Sequence, residues 1–120
     1  MIHVGGNDAS CRKDERQFIS IHRDIIKYFK GLECRVVVSG ILPRHERDVS
    51  YFNDLLQKLC RDEHITYISH DRVFLSNDNL ARNLYLSDLI HLNNFGTIRL
   101  LRSVNRFVNI LVVLVVIIRQ

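Results

Sequence analysis

Short apolar runs, separated by longer segments with helical spacing, form the basic pattern of this chain. The runs Met1–Val4, Arg35–Val38 and Ile65–Ile68 predict three β-strands. The second run is β-branched and uninterrupted, which is typical of a strand that is covered on both faces. Because helical segments follow the strands in alternation, the pattern predicts an α/β fold with a parallel sheet of about three strands.

Apolar residues at helical spacing predict three helices, near Asp14–Lys30, from about Glu46 to Arg61, and from Asn93 or Asn94 through Arg106. The apolar positions expected to face the core are Phe18, Ile21, Ile25 and Phe29 in the first helix, Val49, Phe52, Leu56 and Leu59 or Cys60 in the second, and Ile98, Leu101, Val104 and Val108 in the third. The polar, Asn-rich segment Ser76–Asn83 predicts a loop. We therefore expect one domain over residues 1–106 and an apolar tail over residues 107–120.

Ligands of open parallel sheets bind beyond the carboxyl ends of the strands. Gly5–Asp8 and Ser39–Leu42 both follow predicted strands directly, so they are expected at that edge. The loop Asp88–His91 can reach the same edge from the segment before the last helix. The pattern therefore predicts where a functional site would lie, although the fold alone does not identify its chemistry.

Composition narrows the class of protein only moderately. With 120 residues the chain makes one domain, and the charge is 17 − 13 = +4, which permits an acidic partner without requiring one. Three cysteines, Cys11, Cys34 and Cys60, show no C-x-x-C spacing. Reduced thiols, as in the cytoplasm, fit this pattern better than a disulfide framework or a structural zinc site.

The segment Gly5-Gly6-Asn7-Asp8 follows the first predicted strand. Two glycines after a strand let the backbone turn sharply and approach a ligand without a clash from Cβ. The side-chain amide of Asn7 is a donor that can stabilise a developing oxyanion. An ordinary turn, in which Asn7 or Asp8 caps the following helix, accounts for the same residues.

Asp88 and His91 stand three residues apart, just before the last predicted helix. At this spacing a carboxylate can hold one imidazole nitrogen, which leaves the other to accept a proton from a nucleophile. The alternative is a surface Asp and His beside a helix start at which Asn93 or Asn94 is the cap.

Gly5–Asp8, together with Asp88–Asn93 and the following Gly96, resembles two of the four sequence blocks of the SGNH (GDSL-type) serine hydrolases. The segment Val36–Arg44 also resembles the central strand and loop of such domains, so the resemblance covers about residues 2–104. It implies a partial flavodoxin-like parallel sheet flanked by helices. It also implies that ester or acyl substrates are the partners of an intact relative, with no metal and no organic cofactor.

The resemblance assigns His91 as the general base and Asp88 as the residue that orients it. By the same resemblance, Asn7 and Gly5 belong to the oxyanion hole. Many relatives have glycine directly after the aspartate, where this chain has Leu89. If that position needs a positive φ, Leu89 is strained there.

The family blocks that contain the nucleophilic serine have no counterpart in this chain, which is therefore expected to be N-terminally truncated and inactive as an esterase. Ser39 is the one serine that follows a strong strand at the expected edge, but it lacks the G-x-S-x-G frame of a nucleophile elbow. No nucleophile is therefore assigned. His64, His70 and Asp71 lack a diagnostic metal-ligand spacing and are expected at the surface.

Three arginines, Arg99, Arg102 and Arg106, fall on one face of the last predicted helix. A solvated face is the simplest interpretation, and a stripe that contacts phosphates is the alternative. The SGNH-like domain of Oskar-type proteins, which is non-catalytic and implicated in RNA binding, is a precedent. The alternative function is thus a non-catalytic interaction module with acidic or nucleic-acid partners.

The segment Phe107–Ile118 is apolar apart from Asn109. It is too short to span a membrane, which takes about 20 residues, and its Val and Ile content is strand-like. Because the upstream strands of the family are missing, strand Met1–Val4 is expected to present an unpaired edge. Self-association of the isolated chain is therefore expected, unless the tail folds back as a replacement strand.

Overall fold

Residues 1–3, 14–45, 48–107 and 116–117 are described by the structure, a computed structural model. The elements in chain order are β1 (Ile2–His3), α1 (Glu15–Lys30), β2 (Val37–Ser39), α2 (Ser50–Asp62), β3 (Thr66–Ile68), α3 (Asp71–Phe74), β4 (Leu75–Ser76), β5 (Asn79–Leu80), a 3₁₀ turn (Arg82–Leu84), α4 (Asn94–Asn105) and β6 (Val116–Ile117). The predicted alternation of strands and helices is confirmed.

The main sheet is parallel throughout, with the strand order β3-β2-β1-β6. Strands β1, β2 and β3 are the three that the sequence predicts. The two-residue strand β6 comes from the apolar tail and pairs Ile2 with Val116. The expectation of an unpaired edge at β1 is therefore wrong in this structure, because the tail supplies the neighbouring strand.

Helices cover both faces of the sheet, as the uninterrupted apolar run of β2 predicts. On one face Val38 packs with Ile26 of α1 and Leu59 of α2. On the other face Val37 packs with Val104 of α4. This alternation follows from the strand geometry, in which successive side chains point to opposite faces. Among the described helices, none is long and apolar enough to cross a lipid bilayer.

The buried face of α1 includes Phe18 as predicted but not Ile21. Phe18, His22 and Ile26 are its buried residues, whereas Ile21 is exposed. His22 can occupy a core position because its Nδ1 lies 2.7 Å from the Phe18 carbonyl oxygen. A buried imidazole that has found a hydrogen-bond partner is tolerated where a purely apolar pattern does not predict it.

Helix α2 begins at Ser50, four residues later than the pattern predicts. The Asp48 side chain accepts a hydrogen bond from the Ser50 amide at 2.9 Å, and such local bonds compete with a helical backbone. Within α2, the buried amide of Asn53 accepts from the Ile41 N–H at 2.7 Å and donates to the Ile41 carbonyl at 2.9 Å. These two bonds hold the loop that follows β2 against α2.

The segment predicted as a loop, Ser76–Asn83, contains part of a short antiparallel hairpin, β4–β5. Asn77 and Asp78 form its turn with φ angles of 50° and 63°. Two-residue hairpin turns of this kind need positive φ, which Asn and Asp tolerate better than most residues. The Asn-Asp pair was thus a hairpin signal that the loop prediction did not use.

Helix α4 spans the predicted segment and buries Val104 as predicted, but the rest of its buried face differs. Gly96 and Val104 are buried and Leu100 is half-buried, whereas Ile98 and Leu101 are 46% and 48% exposed. The prediction that Ile98 and Leu101 face the core is therefore wrong, and Val108 lies outside the described residues. As a result, α4 presents apolar side chains to solvent.

Candidate active site

The loop that carries Asp88 and His91 is closed by backbone hydrogen bonds. Tyr85 and Leu92 form an isolated antiparallel bridge at its base. Above the bridge, the Leu86 amide donates to the His91 carbonyl at 2.8 Å, and the Leu89 amide donates to the Leu86 carbonyl at 2.9 Å. The loop is therefore a defined turn that holds both side chains at its tip.

Asn93 and Gly96 join this loop to the start of α4. The Asn93 side chain accepts from the Gly96 amide at 2.9 Å and donates to the carbonyls of Asn83 and Tyr85 at 2.8 and 3.2 Å. A Cβ on Gly96 would lie 2.0 Å from the Leu84 carbonyl oxygen, so only glycine lets the helix begin this close. The two residues that follow the Asp–His motif thus position it.

Asp88 and His91 are in direct contact, with Oδ2 and Nδ1 2.5 Å apart. The other carboxylate oxygen, Oδ1, accepts from the amides of Ile90 and His91 at 2.9 and 3.0 Å. The bond to the His91 side chain, followed by these two backbone bonds, lowers the pKa of Asp88 to about 2. An ionised Asp88 favours a proton on Nδ1 of His91, which leaves the Nε2 lone pair available as an acceptor.

Leu89 has a φ of 57°, the left-handed conformation that favours glycine. For a residue with a Cβ this conformation costs about 1–2 kcal/mol. The half-buried Leu89 side chain packs against Phe74, Leu84 and Tyr85, and its carbonyl accepts from the His45 amide at 3.1 Å. The strain that the family resemblance implies for Leu89 is therefore present. Its packing offsets this strain, and the contact between Asp88 and His91 is kept.

The predicted oxyanion-hole residues, Asn7 and Gly5, lie outside the described residues. Of the predicted site, the structure therefore describes Asp88 and His91 and brings these two together. Ser39 does not join them, since the hydrogen bonds of its hydroxyl go to two other histidines.

A second cluster, which the sequence analysis missed, lies at the carboxyl ends of three adjacent strands. The Ser39 hydroxyl lies 2.5 Å from Nε2 of His70 and 2.9 Å from Nδ1 of His3. Ser39 is fully buried and His70 is 1% exposed, so the prediction that His70 lies at the surface is wrong. We call Ser39, His3 and His70 the buried histidine cluster. The position of each residue at or just after a predicted strand was the signal for it.

Burial controls the protonation of this cluster. Burial, together with the nearby His3, lowers the pKa of His70 from 6.5 to about 4, and burial also lowers the pKa of His3. Both imidazoles are therefore neutral at pH 7, and the Ser39 hydroxyl donates to one while it accepts from the other. Within the described part of the chain, Nδ1 of His70 has no hydrogen-bond partner.

A cleft of about 650 Å³ lies between the loop after β2 and the β4–β5 hairpin. Its charged lining is mixed in sign and includes Arg44, Asp48, Asp71 and Arg82. Burial, followed by the nearby carboxylates of Asp54 and Asp48, raises the pKa of Asp71. The lining does not include Asp88 or His91, so the cleft is a neighbour of the Asp–His loop and not part of it.

Compared with known proteins, the chain matches no protein-family model and no curated protein. An assignment of function therefore rests on its own motifs and on the geometry described above.

Proposed function

We propose that His91 is the general base of an SGNH-type ester or acyl hydrolase site, in a partial flavodoxin-like fold, and that Asp88 orients it. The observation that carries this proposal is the 2.5 Å contact between Asp88 Oδ2 and His91 Nδ1. The loop is closed by its own backbone bonds and by Asn93, so the contact does not depend on a substrate. A prearranged pair of this kind is what general-base catalysis requires.

The roles of the two residues follow from their environments. Asp88, with its low pKa, stays ionised near neutral pH and keeps the proton of neutral His91 on Nδ1. Nε2 of His91 then accepts the proton of a serine hydroxyl while the serine oxygen attacks an acyl carbonyl. The imidazolium that forms is stabilised by Asp88 and returns the proton to the leaving alkoxide. Asn7 is proposed as the oxyanion donor on the strength of the family resemblance.

Ser39 is not the nucleophile in this proposal. Ser39 is fully buried and bonded to His3 and His70, so it has neither access to a substrate nor contact with His91. The nucleophilic serine is instead proposed to belong to a Gly-Asp-Ser block of the kind found in the SGNH hydrolases that the motifs resemble.

Hydrolysis of p-nitrophenyl acetate tests this assignment in two forms of the protein. One form is the chain itself, and the other carries an upstream SGNH segment with the Gly-Asp-Ser block. Each is compared with its His91→Asn variant and with a His64→Asn variant, because His64 is an exposed histidine on another loop.

We expect the chain alone to be no faster than its His91→Asn variant. The extended form should hydrolyse the ester, and it should lose this activity in His91→Asn but not in His64→Asn. Hydrolysis by the extended form that does not depend on His91 would refute the proposal. Hydrolysis by the chain alone that depends on His91 would show that the nucleophile lies within these residues.

A further inference from the structure

The solvent-facing side of α4 combines apolar and arginine side chains. Phe95, Ile98, Arg99, Arg102 and Arg106 recur at helical spacing and form what we call the α4 outer face. Phe95 is 72% exposed and Ile98 is nearly half exposed, although both are large apolar residues in or beside the first turns of a well-packed helix. Exposed apolar groups concentrated on one face are typical of an interaction surface.

Two adjoining depressions shape this face. One, of about 400 Å³, is lined by Asn83, Leu84, Phe95, Ile98, Arg99 and Arg102. The other, of about 180 Å³, is lined by Val73, Arg99, Arg102, Ser103 and Arg106. Arg99 and Arg102 line both, so the two depressions adjoin along the helix, and together we call them the groove.

The charge of this groove is uncompensated. No acidic side chain lines either depression, and within the described residues none of the three arginines has a carboxylate partner. An arginine guanidinium binds a carboxylate through two parallel N–H bonds, which a lysine or a neutral donor cannot reproduce. The groove therefore offers an apolar floor at one end and unpaired carboxylate-binding groups along its length.

We propose that the α4 outer face docks an acidic peptide segment of a partner protein, one that carries large apolar side chains among its carboxylates. An apolar side chain of the segment fills the depression beside Phe95 and Ile98. Its carboxylates pair with Arg99, Arg102 and Arg106 along the helix. The site is separate from the proposed hydrolase base, because neither Asp88 nor His91 lines the groove.

The lining favours a peptide over single-stranded nucleic acid. Bases are held on aromatic platforms between phosphate contacts, and among the described residues Phe95 is the one aromatic residue that lines the groove. Leu84 and Ile98 offer aliphatic surface, which suits an apolar side chain better than a base. Of the other exposed aromatic residues, Tyr28 and Tyr51 lie on α1 and α2, which cover the opposite face of the sheet from α4. Phe107, just beyond α4, lines neither depression.

Fluorescence anisotropy with labelled probes tests the proposal on the full chain. The test probe is a short peptide in which Leu and Phe stand among Asp and Glu residues. One control peptide replaces the acids by Asn and Gln, and another replaces Leu and Phe by Ser. An oligouridine is the nucleic-acid probe.

Two variants and a matched control identify the surface. The double variant Arg99→Glu with Arg102→Glu reverses the charge of the groove, and Phe95→Ser removes its aromatic wall. The control, Arg16→Glu with Arg61→Glu, makes the same change in net charge at exposed arginines of α1 and α2. Circular dichroism and a thermal melt confirm that each variant remains folded.

We expect saturable binding of the test peptide and weaker binding of both control peptides. The Arg99/Arg102 variant should raise Kd by about tenfold, equivalent to about 1.4 kcal/mol, while the control variant keeps the affinity. Phe95→Ser should also weaken the binding.

Three results would overturn the proposal. One is the absence of saturable binding by the test peptide. Another is an equal loss of affinity in the control variant, which would indicate net charge and not the groove. The third is tighter binding of oligouridine, lost in the Arg99/Arg102 variant, which would identify a nucleic-acid surface instead.

Discussion

Two histidines of this protein make contacts of the same length in opposite surroundings. His70 lies 2.5 Å from the Ser39 hydroxyl and is almost fully buried, whereas His91 lies 2.5 Å from the Asp88 carboxylate and is 72% exposed. Around His70 the protein suppresses the charged form of the imidazole. Around His91 it places a carboxylate in direct contact with an exposed imidazole.

The two histidines separate a structural use, at His70, from the chemical use that we propose for His91. A buried polar cluster affects stability strongly, because a lost partner leaves an unsatisfied group inside the protein. An exposed ion pair contributes little to stability, since water replaces either partner. The Asp88–His91 pair is therefore free to be arranged for reactivity, while the buried histidine cluster is tied to the fold.

The largest expected effect is a loss of stability in acid that originates in the buried cluster. The pKa of His70 falls from 6.5 in the unfolded chain to about 4 in the folded protein, so the folded state binds this proton less readily. Its contribution is complete above pH 6.5 and is lost as the pH falls toward 4. At about 1.4 kcal/mol per pKa unit, the loss is about 3 kcal/mol. Urea denaturation at a series of pH values measures it.

The two histidines should differ clearly in this experiment. His70→Gln is expected to flatten the pH dependence of stability. Part of the dependence should remain, because burial also lowers the pKa of His3. His91→Asn should flatten it far less, because the contact between His91 and Asp88 lies at the surface and contributes little to stability. An equal flattening in both variants would show that the comparison is wrong.

The second largest effect is expected from Ser39→Ala. The substitution removes the hydrogen-bond partner of His70 Nε2 and of His3 Nδ1. A buried group left unsatisfied costs about 1–3 kcal/mol, so we expect a loss of about 2 kcal/mol in the free energy of unfolding. Ser87→Ala, at an exposed serine beside Asp88, is the matched control and should change stability little. Similar midpoints in urea for the two variants would contradict the role given to Ser39.

A smaller effect, with an unusual order of side chains, is expected at Leu89. Alanine loses the packing of Leu89 against Phe74 and Leu84 but keeps the strain of the positive φ. Glycine loses the same packing and relieves the strain, which is worth about 1 kcal/mol. Leu89→Gly should therefore be less destabilised than Leu89→Ala, the reverse of the order at most positions. Urea midpoints of the two variants decide the point, and the ordinary order would show that Leu89 is unstrained.

The smallest effect on stability, and the most informative for chemistry, is expected from Asp88→Asn. Because the Ile90 and His91 amides hold one side-chain oxygen, the amide nitrogen of Asn takes the place of Oδ2 and donates to His91 Nδ1. The proton of His91 should then move to Nε2, while the urea midpoint stays unchanged. The ¹⁵N shifts of neutral His91, with His64 as the reference, report the tautomer. A proton that stays on Nδ1 would remove Asp88 from its orienting role.

The sequence was most informative where local chemistry determines structure. The alternation of apolar runs predicted the α/β order, and the Asp88–His91 spacing predicted a contact that a short turn can supply on its own. Both of these predictions needed only neighbours along the chain. The positive φ of Leu89 was anticipated only through the resemblance, because many SGNH hydrolases have glycine at this position.

Predictions failed where partners come from distant segments. The burial of His70 depends on Ser39, and the burial of His22 depends on a carbonyl bond that a hydrophobic pattern does not register. The orientation of α4 was mispredicted because Gly96, not an apolar side chain, makes its closest approach to the rest of the fold. A prediction from the spacing of apolar residues does not detect a close contact that depends on glycine having no side chain.

The place of β1 in the sheet has a consequence for the order of folding. Ile2 pairs with Val38 on one side and with Val116 on the other. During synthesis Val38 becomes available to pair with Ile2 early, whereas Val116 becomes available much later. Closing so long a loop is slow, and an open strand edge is prone to pair with another chain in the meantime. Association between copies is therefore a risk of the growing or refolding chain and depends on how quickly the last strand arrives.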